Sequence, residues 1–309
     1  MQVKQETIIG AAILALFVFS AALHFIKPAE PSSHDAGVAT KASQAFFKED
    51  GIAVIHVSGP IYFSQNSSNS FFLDSADLIL DQLKKVEYAE HVKGLLLKVN
   101  SPGGTVGASQ EILAALRRIK AQRNIPIVAQ IGDVGASGAY YVSLGADKIY
   151  ANPGSIVGSI GVIMSGLNIE EFASKHGVKN KTYKSGPYKD VFSMWREPSA
   201  TEDAMIQTMI NTVHGQFVSD VVQSRNLSPV KANKLAQGQI FTGSQALTKG
   251  LIDELGGYHD ALRYLGELTG LGDNPVVIQL TKSSWKDFAN VWTNQFKQSL
   301  FMNQQLLLQ

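Results

Sequence analysis

The sequence predicts an α/β fold, because short apolar segments of strand length alternate with longer segments of helical periodicity. Two further observations agree with this fold class. Turns that contain Gly and Pro separate the segments, and the loops that are candidates for a functional site each follow a predicted strand. The predicted strands are residues 52–57, 94–99, 127–131, 148–151, 179–184 and 276–280. The predicted helices are residues 74–87, 108–120, a helix that begins near Ala136, 170–176, 199–224, 228–236, 244–249 and 257–268.

Composition limits the classes of function. The chain has 309 residues, of which 45% are hydrophobic and 17% are charged, enough for one large domain or two small ones. A net charge of +1 gives no electrostatic reason to expect a nucleic-acid partner. The absence of cysteine excludes disulfides, thiolate zinc sites and a cysteine nucleophile. We predict no metal and no cofactor.

An apolar run, residues 8–26, has the length of a membrane-spanning helix. At about 1.5 Å per residue it could cross a hydrocarbon core of about 30 Å. A cleavable signal peptide is the alternative, because Ser20, Ala21 and Ala22 offer small residues for cleavage. Either interpretation exports the remainder of the chain. Residues 28–45 are rich in Pro, Ser, Ala and Thr and predict a tether.

Ser137 is the strongest candidate for a reactive group. It lies between the predicted strand 127–131, which Gly132 to Gly135 should end, and a helix that begins with small residues. A hydroxyl at a helix N-terminus lies beside unpaired N–H groups that favour a developing anion. The alternative is an ordinary serine N-cap. The G-x-S-x-G elbow is not satisfied, since Ala139 occupies its last position.

Two other loops accompany Ser137. Residues 100–105, Asn-Ser-Pro-Gly-Gly-Thr, follow a strand and expose main-chain N–H groups, and both this loop and that of Ser137 leave the carboxyl ends of strands. The glycine-rich residues 152–161 lack the spacing of a nucleotide-binding loop, which argues against nucleotide binding. Lys184 and Lys189 lie among Gly, Pro, Tyr and Phe, where burial could favour a neutral amine.

These motifs together resemble signal peptide peptidase A, a family of membrane-anchored serine peptidases with the Clp protease and crotonase fold. The resemblance covers residues 50–270 and includes Asn100 to Gly104, Gly132 to Tyr141, Gly158 to Val162 and Lys184 to Asp190. It implies a repeated ββα spiral core with added helices, preceded by one N-terminal transmembrane helix. The implied domains are residues 1–27 as anchor or signal peptide, 28–50 as linker, 51–270 as peptidase domain, and 271–309 as a strand and an amphipathic tail.

The resemblance also implies roles for individual residues. Ser137 would be the nucleophile, Lys189 rather than Lys184 the general base, and Ser159 the hydrogen-bond partner that orients Lys189. The N–H of Gly104 would form the oxyanion hole, to which we add the N–H of Gly138 from its place after the nucleophile. The resemblance implies a ring or dome of several subunits, an arrangement in which Ser137 and Lys189 of one site could come from neighbouring chains.

The expected function is hydrolysis of hydrophobic peptides, such as signal peptides left in the membrane, by an anchored enzyme outside the cytoplasm. A crotonase-type acyl-CoA enzyme is an alternative, as is a non-catalytic membrane scaffold of the same fold. The apolar residues of the tail, from Trp285 to Leu300, recur at helical spacing. This tail could dock on the domain, lie on the membrane, contact a neighbouring subunit or cover the site.

Overall fold

The structure, a computed structural model, describes residues 49–63 and 76–280. From Asp50 onward these residues belong to one compact unit. The predicted membrane segment 8–26, the tether 28–45 and the tail 285–300 lie outside the described residues. Within the two described ranges, no helix combines the length and the apolar character needed to span a membrane.

Strands and helices alternate along the described chain, which confirms the predicted α/β class. The strands are β1 (Gly51–Ser58), β2 (Val92–Ser101), β3 (Ile127–Ala136), β4 (Lys148–Ala151), β5 (Ile156–Gly158), β6 (Ile240–Thr242), β7 (Glu254–Leu255) and β8 (Val277–Gln279). The helices are α1 (Ala76–Tyr88), α2 (Val106–Arg123), α3 (Gly138–Ser143), α4 (Glu170–Lys175), α5 (Ala200–Arg225), α6 (Pro229–Leu235), α7 (Gly243–Lys249) and α8 (Tyr258–Thr269).

The strands form one mostly parallel sheet in the order β6-β5-β3-β2-β1-β8. Only the β5–β6 pair is antiparallel among the pairings of the described strands. On the side away from β2, strand β3 pairs with β4 through residues 128–131 and then with β5 through residues 134–136. The end of β3 therefore lies between β2 and β5, and this position determines the surroundings of Ser137.

Both faces of the central strands are buried. On one face, α8 covers a cluster that contains Ile52, Leu96 and Val128 together with its own Leu265. The alternate residues of β1 and β2 are also inaccessible to solvent, and α1 packs against β1 and against α2. Strands buried on both faces read as continuous apolar runs, which is why the periodicity of the sequence located them.

The predicted strand 127–131 continues further than expected, so the predicted break at residues 132–135 is wrong. The side-chain oxygen of Asn100 accepts hydrogen bonds from the N–H groups of Asp133, at 3.2 Å, and Val134, at 3.0 Å. These bonds and the pairing with β5 hold the second half of β3 extended despite its glycines. The glycine-rich loop 152–161 correspondingly contains a short strand.

Two other local predictions are wrong. Residues 179–184 form no strand, since they are exposed and pair with no described strand. Residues 241–243, predicted as a turn, contain the end of β6, which pairs with β5. Both errors concern short segments, whose conformation depends on whether a neighbouring strand is available for pairing as well as on their own pattern.

The long predicted helix is present as α5, and its predicted capping box is confirmed. The Ser199 hydroxyl accepts from the N–H of Glu202 in the first turn. The apolar stripe is only partly buried, however: Phe217 and Val221 are covered, whereas Met205 and Met209 are 41% and 42% exposed. The first half of α5 therefore presents an apolar face that the described residues of one chain do not cover.

Candidate active site

The loop after β2 is held in an extended shape beside Ile61. The N–H of Ile61 donates to the carbonyl of Gly103 at 2.9 Å, and its carbonyl accepts from the N–H of Thr105 at 2.8 Å. In an extended chain, successive residues direct their main-chain groups to opposite sides, so the N–H of Gly104 points away from Ile61. A Cβ atom at position 104 would lie 1.9 Å from the Ile61 carbonyl oxygen. Glycine is therefore required for this approach.

Ser137 adopts an unusual backbone conformation between β3 and α3. Its φ and ψ angles are 54° and −124°, outside the regions that an L-residue ordinarily occupies. Its N–H donates to the carbonyl of Gly158 at 2.8 Å, and its carbonyl accepts from Tyr141 at 2.9 Å. The hydroxyl makes no N-cap hydrogen bond. The ordinary N-cap interpretation is therefore wrong, and a strained residue of this kind is typical of functional sites.

Two main-chain amides lie next to each other beside Ser137. A Cβ atom built at Gly138 would lie 3.1 Å from the amide nitrogen of Gly104, and one at Gly103 would lie 2.6 Å from the amide nitrogen of Gly138. As the first residue of α3, Gly138 has no intrahelical acceptor for its N–H. Within the described chain, neither the Gly104 nor the Gly138 amide has a hydrogen-bond acceptor. Such a pair of donors suits an oxyanion.

Ser159 is brought beside Ser137 by the pairing of β3 with β5. The register aligns Ala136 with Gly158, so the residues that follow each of them are neighbours. Ser159 also has a positive φ, 50°, and its N–H donates to the carbonyl of Gln239 at 2.9 Å. The main chain of Ser159 is thus held by Gln239, which directly precedes β6. Ser159 lines the same cavity as Ser137.

A cavity of about 350 Å³ opens at this point. Its polar edge carries four of the residues predicted for the site: Gly104, Ser137, Gly138 and Ser159. The remaining wall is largely apolar. Its larger apolar members are Val106, Tyr141, Val162, Ile163, Val213 and Phe217. The arrangement combines serine hydroxyls and two main-chain amides with a surface that suits apolar groups.

The apolar wall is held in place by contacts between α3 and α5. The rings of Tyr141 and Phe217 meet edge to face at 4.6 Å. The Tyr141 hydroxyl donates to Asp220, which also pairs with Arg117 of α2 at 2.7 Å. Burial, followed by the hydrogen bond to Asp220, raises the pKa of Tyr141 to about 12. Tyr141 is therefore a neutral donor at physiological pH and fixes the position of the wall.

Lys189 is not brought to this cavity within one chain. It lies on an exposed turn after α4 and does not line the space around Ser137. Lys184, on the same turn, donates to Asp190 at 2.7 Å and to the carbonyl of Pro187 at 3.0 Å. Lys189 forms no ion pair with a described residue. Of the two candidate lysines, only Lys184 is engaged by a carboxylate.

No histidine among the described residues lines the cavity. His214 lies on α5, but its ring nitrogen contacts the carbonyl of Ala236 at 2.7 Å. In residues 49–63 and 76–280, no cluster of His, Cys, Asp or Glu could hold a metal ion. The residues that line the cavity thus include serine hydroxyls and two main-chain amides, and neither a histidine nor a lysine of the described chain is among them.

The apolar wall was not identified as part of the site from the sequence. Val213 and Phe217 were assigned to the apolar stripe of a packed helix, and Tyr141 to a helix start. One sequence signal could have identified them: the apolar stripe of the predicted helix 199–224 is longer than a single neighbouring helix would cover. Their place in the cavity depends on the crossing of α5 over α3, which no local pattern encodes.

Two family models match parts of this chain. The model of peptidase family S49 matches residues 119–272, and that of Clp protease matches residues 64–155. The second match includes the loop of Gly104 and the turn of Ser137, and the first includes Ser137, Ser159 and Lys189. The Clp protease match is consistent with the mostly parallel sheet described above.

Several curated proteins are similar over most of this chain. A Synechocystis protein provisionally named as a protease is 44% identical over 198 residues, covering 64% of this chain and 70% of that protein. An Enterococcus faecium protein provisionally named signal peptide peptidase SppA is 41% identical, covering 69% of this chain and 61% of that protein. Protease 4 of Salmonella typhi is 32% identical over 75% of this chain, which spans 38% of that longer protein.

The family models and these relatives agree on the class of protein. The chain belongs to peptidase family S49 and is a serine peptidase of the signal peptide peptidase A type.

Proposed function

We propose that this chain is a membrane-anchored endopeptidase that cleaves apolar peptides with a Ser137–Lys189 dyad. The observation that carries the proposal is the strained Ser137, whose hydroxyl makes no cap hydrogen bond and lies beside the free amides of Gly104 and Gly138. Strain is retained in a folded protein where the surroundings enforce it. Here it presents the hydroxyl to the cavity.

In the first half of the reaction, the neutral amine of Lys189 accepts the proton of the Ser137 hydroxyl as the oxygen attacks the peptide carbonyl carbon. The N–H groups of Gly104 and Gly138 donate to the oxygen that becomes negative. When the carbon–nitrogen bond breaks, the Lys189 ammonium returns the proton to the leaving amine. Ser137 then carries the acyl group as an ester.

In the second half, water replaces the leaving amine. Lys189 accepts a proton from the water, whose oxygen attacks the ester carbon, and the same two amides again hold the oxyanion. Collapse of this intermediate returns the proton to Ser137 and releases the carboxylic acid. Ser159 would accept or donate a hydrogen bond at the Lys189 amine and so orient it toward Ser137.

We propose that Lys189 reaches the site from a neighbouring copy of the chain. In a single chain it lies on an exposed turn outside the cavity, whereas Ser159, its proposed partner, lines that cavity. Several large apolar side chains between β5 and α5 are also exposed, among them Ile163 at 89%, Leu167 at 70% and Phe172 at 63%. Apolar surface of this kind favours association. Closed symmetry would then give the predicted ring or dome.

The substrate class follows from the wall of the cavity. Val106, Val162, Val213 and Phe217 would contact an apolar side chain of the peptide. An anchor formed by residues 8–26 would hold the site close to a membrane, where cleaved signal peptides remain. Extended apolar peptides left in the membrane are therefore the proposed substrates.

The test is covalent labelling by a fluorophosphonate probe together with hydrolysis of a fluorogenic apolar peptide. Wild type should be labelled and should hydrolyse the peptide, whereas Ser137→Ala should do neither. Ser244→Ala is the matched control, since Ser244 is exposed on α7 and does not line the cavity; it should behave as wild type. Mass spectrometry should place the label on Ser137.

Three outcomes would contradict the proposal. Equal labelling of wild type and Ser137→Ala would remove Ser137 from its role. Hydrolysis of an acyl-CoA without hydrolysis of any peptide would favour a crotonase-type enzyme. A folded protein that neither reacts with the probe nor cleaves peptides would favour a scaffold.

A further inference from the structure

The turn that carries Lys189 has little structure of its own. Residues 184–193 contain no helix or strand. The N–H of Lys189 donates to the carbonyl of Gly186 at 3.3 Å, and that of Ser193 to the carbonyl of Asp190 at 2.8 Å. A short exposed turn with so few main-chain bonds would sample several conformations. Its orientation must be fixed by contacts from outside the turn.

Arg196 supplies those contacts. Its guanidinium donates to both carboxylate oxygens of Asp190, at 2.7 and 3.1 Å, and to the Asp190 carbonyl at 3.3 Å. The same group donates to both oxygens of Glu202, at 2.5 and 2.9 Å. Two bidentate contacts from one planar group fix distance and orientation together. Arg196 thus joins the residue that follows Lys189 to the first turn of α5.

The attachment on α5 is firm. Glu202 is only 2% exposed, and its carboxylate also accepts from the N–H of Ser199 at 2.8 Å and from its hydroxyl at 2.9 Å. The Arg196 guanidinium, followed by the Ser199 N–H, lowers the pKa of Glu202 to about 2. Glu202 therefore stays ionised throughout the neutral range, and Arg196 is held on a helix that also forms the wall of the Ser137 cavity.

We infer that Arg196 is a positioning residue for the proposed general base: by tying Asp190 to Glu202, it sets the direction in which Lys189 is presented to the Ser137 hydroxyl. The inference rests on the proposed function, because it needs Lys189 to act as the base. Proton transfer requires the two heavy atoms to be within hydrogen-bond reach. A misplacement of about 1 Å can lower a rate by about 100-fold.

At the turn itself, Lys184 makes the expected effect of removing Arg196 one of position and not of charge. Its ammonium also contacts Asp190, so removal of Arg196 leaves that carboxylate with a cationic partner. The link between the turn and α5 is lost, and the buried Glu202 carboxylate loses its guanidinium partner. The turn would then move while the charge of Asp190 next to Lys189 remains compensated.

The experiment measures kcat and KM for an apolar fluorogenic peptide on the full chain in its native assembly. The variants are Arg196→Ala, Arg196→Lys and Lys189→Ala. Arg225→Ala is the matched control, because Arg225 forms a comparable bidentate pair with Asp253, at 2.7 and 2.9 Å, at the other end of α5. Circular dichroism and size-exclusion chromatography establish folding and assembly for each.

We expect Arg196→Ala to lower kcat by about 10- to 100-fold with little change in KM, and Arg196→Lys to lower it less. Guanidinium ions at concentrations far below denaturation should restore part of kcat to Arg196→Ala and none to Lys189→Ala. The control should keep the wild-type kcat. If Arg196 contributed only to folding, the activity of Arg196→Ala would fall in proportion to its folded fraction. Guanidinium ions would then not restore kcat selectively.

Wild-type kcat in folded Arg196→Ala would overturn the inference, as would an equal loss of kcat in folded Arg225→Ala. If Arg196→Ala does not fold, the same test applies to Arg196→Lys: wild-type kcat in the folded variant would overturn the inference. Turnover by Lys189→Ala would instead overturn the proposed function. An inactive Lys189→Ala beside a fully active Arg196→Ala would overturn this inference alone.

Discussion

Substitution of Gly104 by alanine is the most specific perturbation of the proposed oxyanion site. A Cβ atom at this position would lie 1.9 Å from the Ile61 carbonyl oxygen and 2.6 Å from the Ile61 amide nitrogen. Ordinary van der Waals contact begins at 3.4 Å, so the loop must move by about 1.5 Å to relieve the overlap. Both contacts are main-chain atoms and cannot rotate away. The movement therefore displaces the Gly104 N–H from the cavity.

The size of the effect follows from the loss of one donor. Removal of a single oxyanion donor typically lowers kcat by about 100- to 1,000-fold, or about 2.7–4 kcal/mol of transition-state stabilisation. The Gly138 amide would remain, so some turnover should persist. Because the donor acts mainly in the transition state, kcat should fall much more than KM changes.

The assay compares Gly104→Ala with Gly107→Ala in peptide hydrolysis and thermal unfolding. A Cβ atom at Gly107 would meet no atom within 4 Å, and alanine stabilises a helix by about 0.5–1 kcal/mol relative to glycine. Gly107→Ala should keep wild-type turnover. Undiminished kcat in folded Gly104→Ala, or the same loss in both variants, would refute the assignment of Gly104.

Two further predictions concern the wall and the start of α5. Phe217→Ala should shift peptide preference toward bulkier side chains and destabilise the fold by about 3 kcal/mol, because Phe217 packs on Tyr141; an unchanged preference across a peptide series would exclude Phe217 from the substrate pocket. Glu202 has a lowered pKa, about 2 against a reference of 4.5, so the stability it provides should be present above pH 4.5 and disappear as pH falls toward 2. In Glu202→Gln, the melting temperature should depend less on pH in that window than it does in wild type. The same pH dependence in both proteins would contradict the assignment.

Much of the fold could be predicted because its signals are local. The inner strands are buried on both faces and read as apolar runs, and α5 begins at a capping box in which Ser199 and Glu202 bond reciprocally. The loops of Gly104 and Ser137 were expected to meet because both leave carboxyl ends of parallel strands. Their amides are neighbours in the structure, although the catalytic roles remain predictions.

The remainder depends on contacts that are distant in sequence. Strand β3 was expected to stop at residue 131, yet the Asn100 side chain and β5 hold it extended to Ala136. Ser137 likewise has a strained backbone, and its N–H donates to the carbonyl of Gly158, a contact distant in sequence. Only the family resemblance raised the possibility that Lys189 and Ser137 lie apart in one chain, because neither motif determines where the other one lies.

Subunit mixing tests the central proposal that neighbouring chains supply Ser137 and Lys189 to one site. Ser137→Ala and Lys189→Ala assemblies should each be inactive, but equal co-assembly of the two chains should restore about a quarter of wild-type peptide hydrolysis, because each site draws one residue from each side of a head-to-tail contact. Mixed assemblies that form and remain inactive would contradict the shared site, and activity in either parent assembly would contradict the dyad itself.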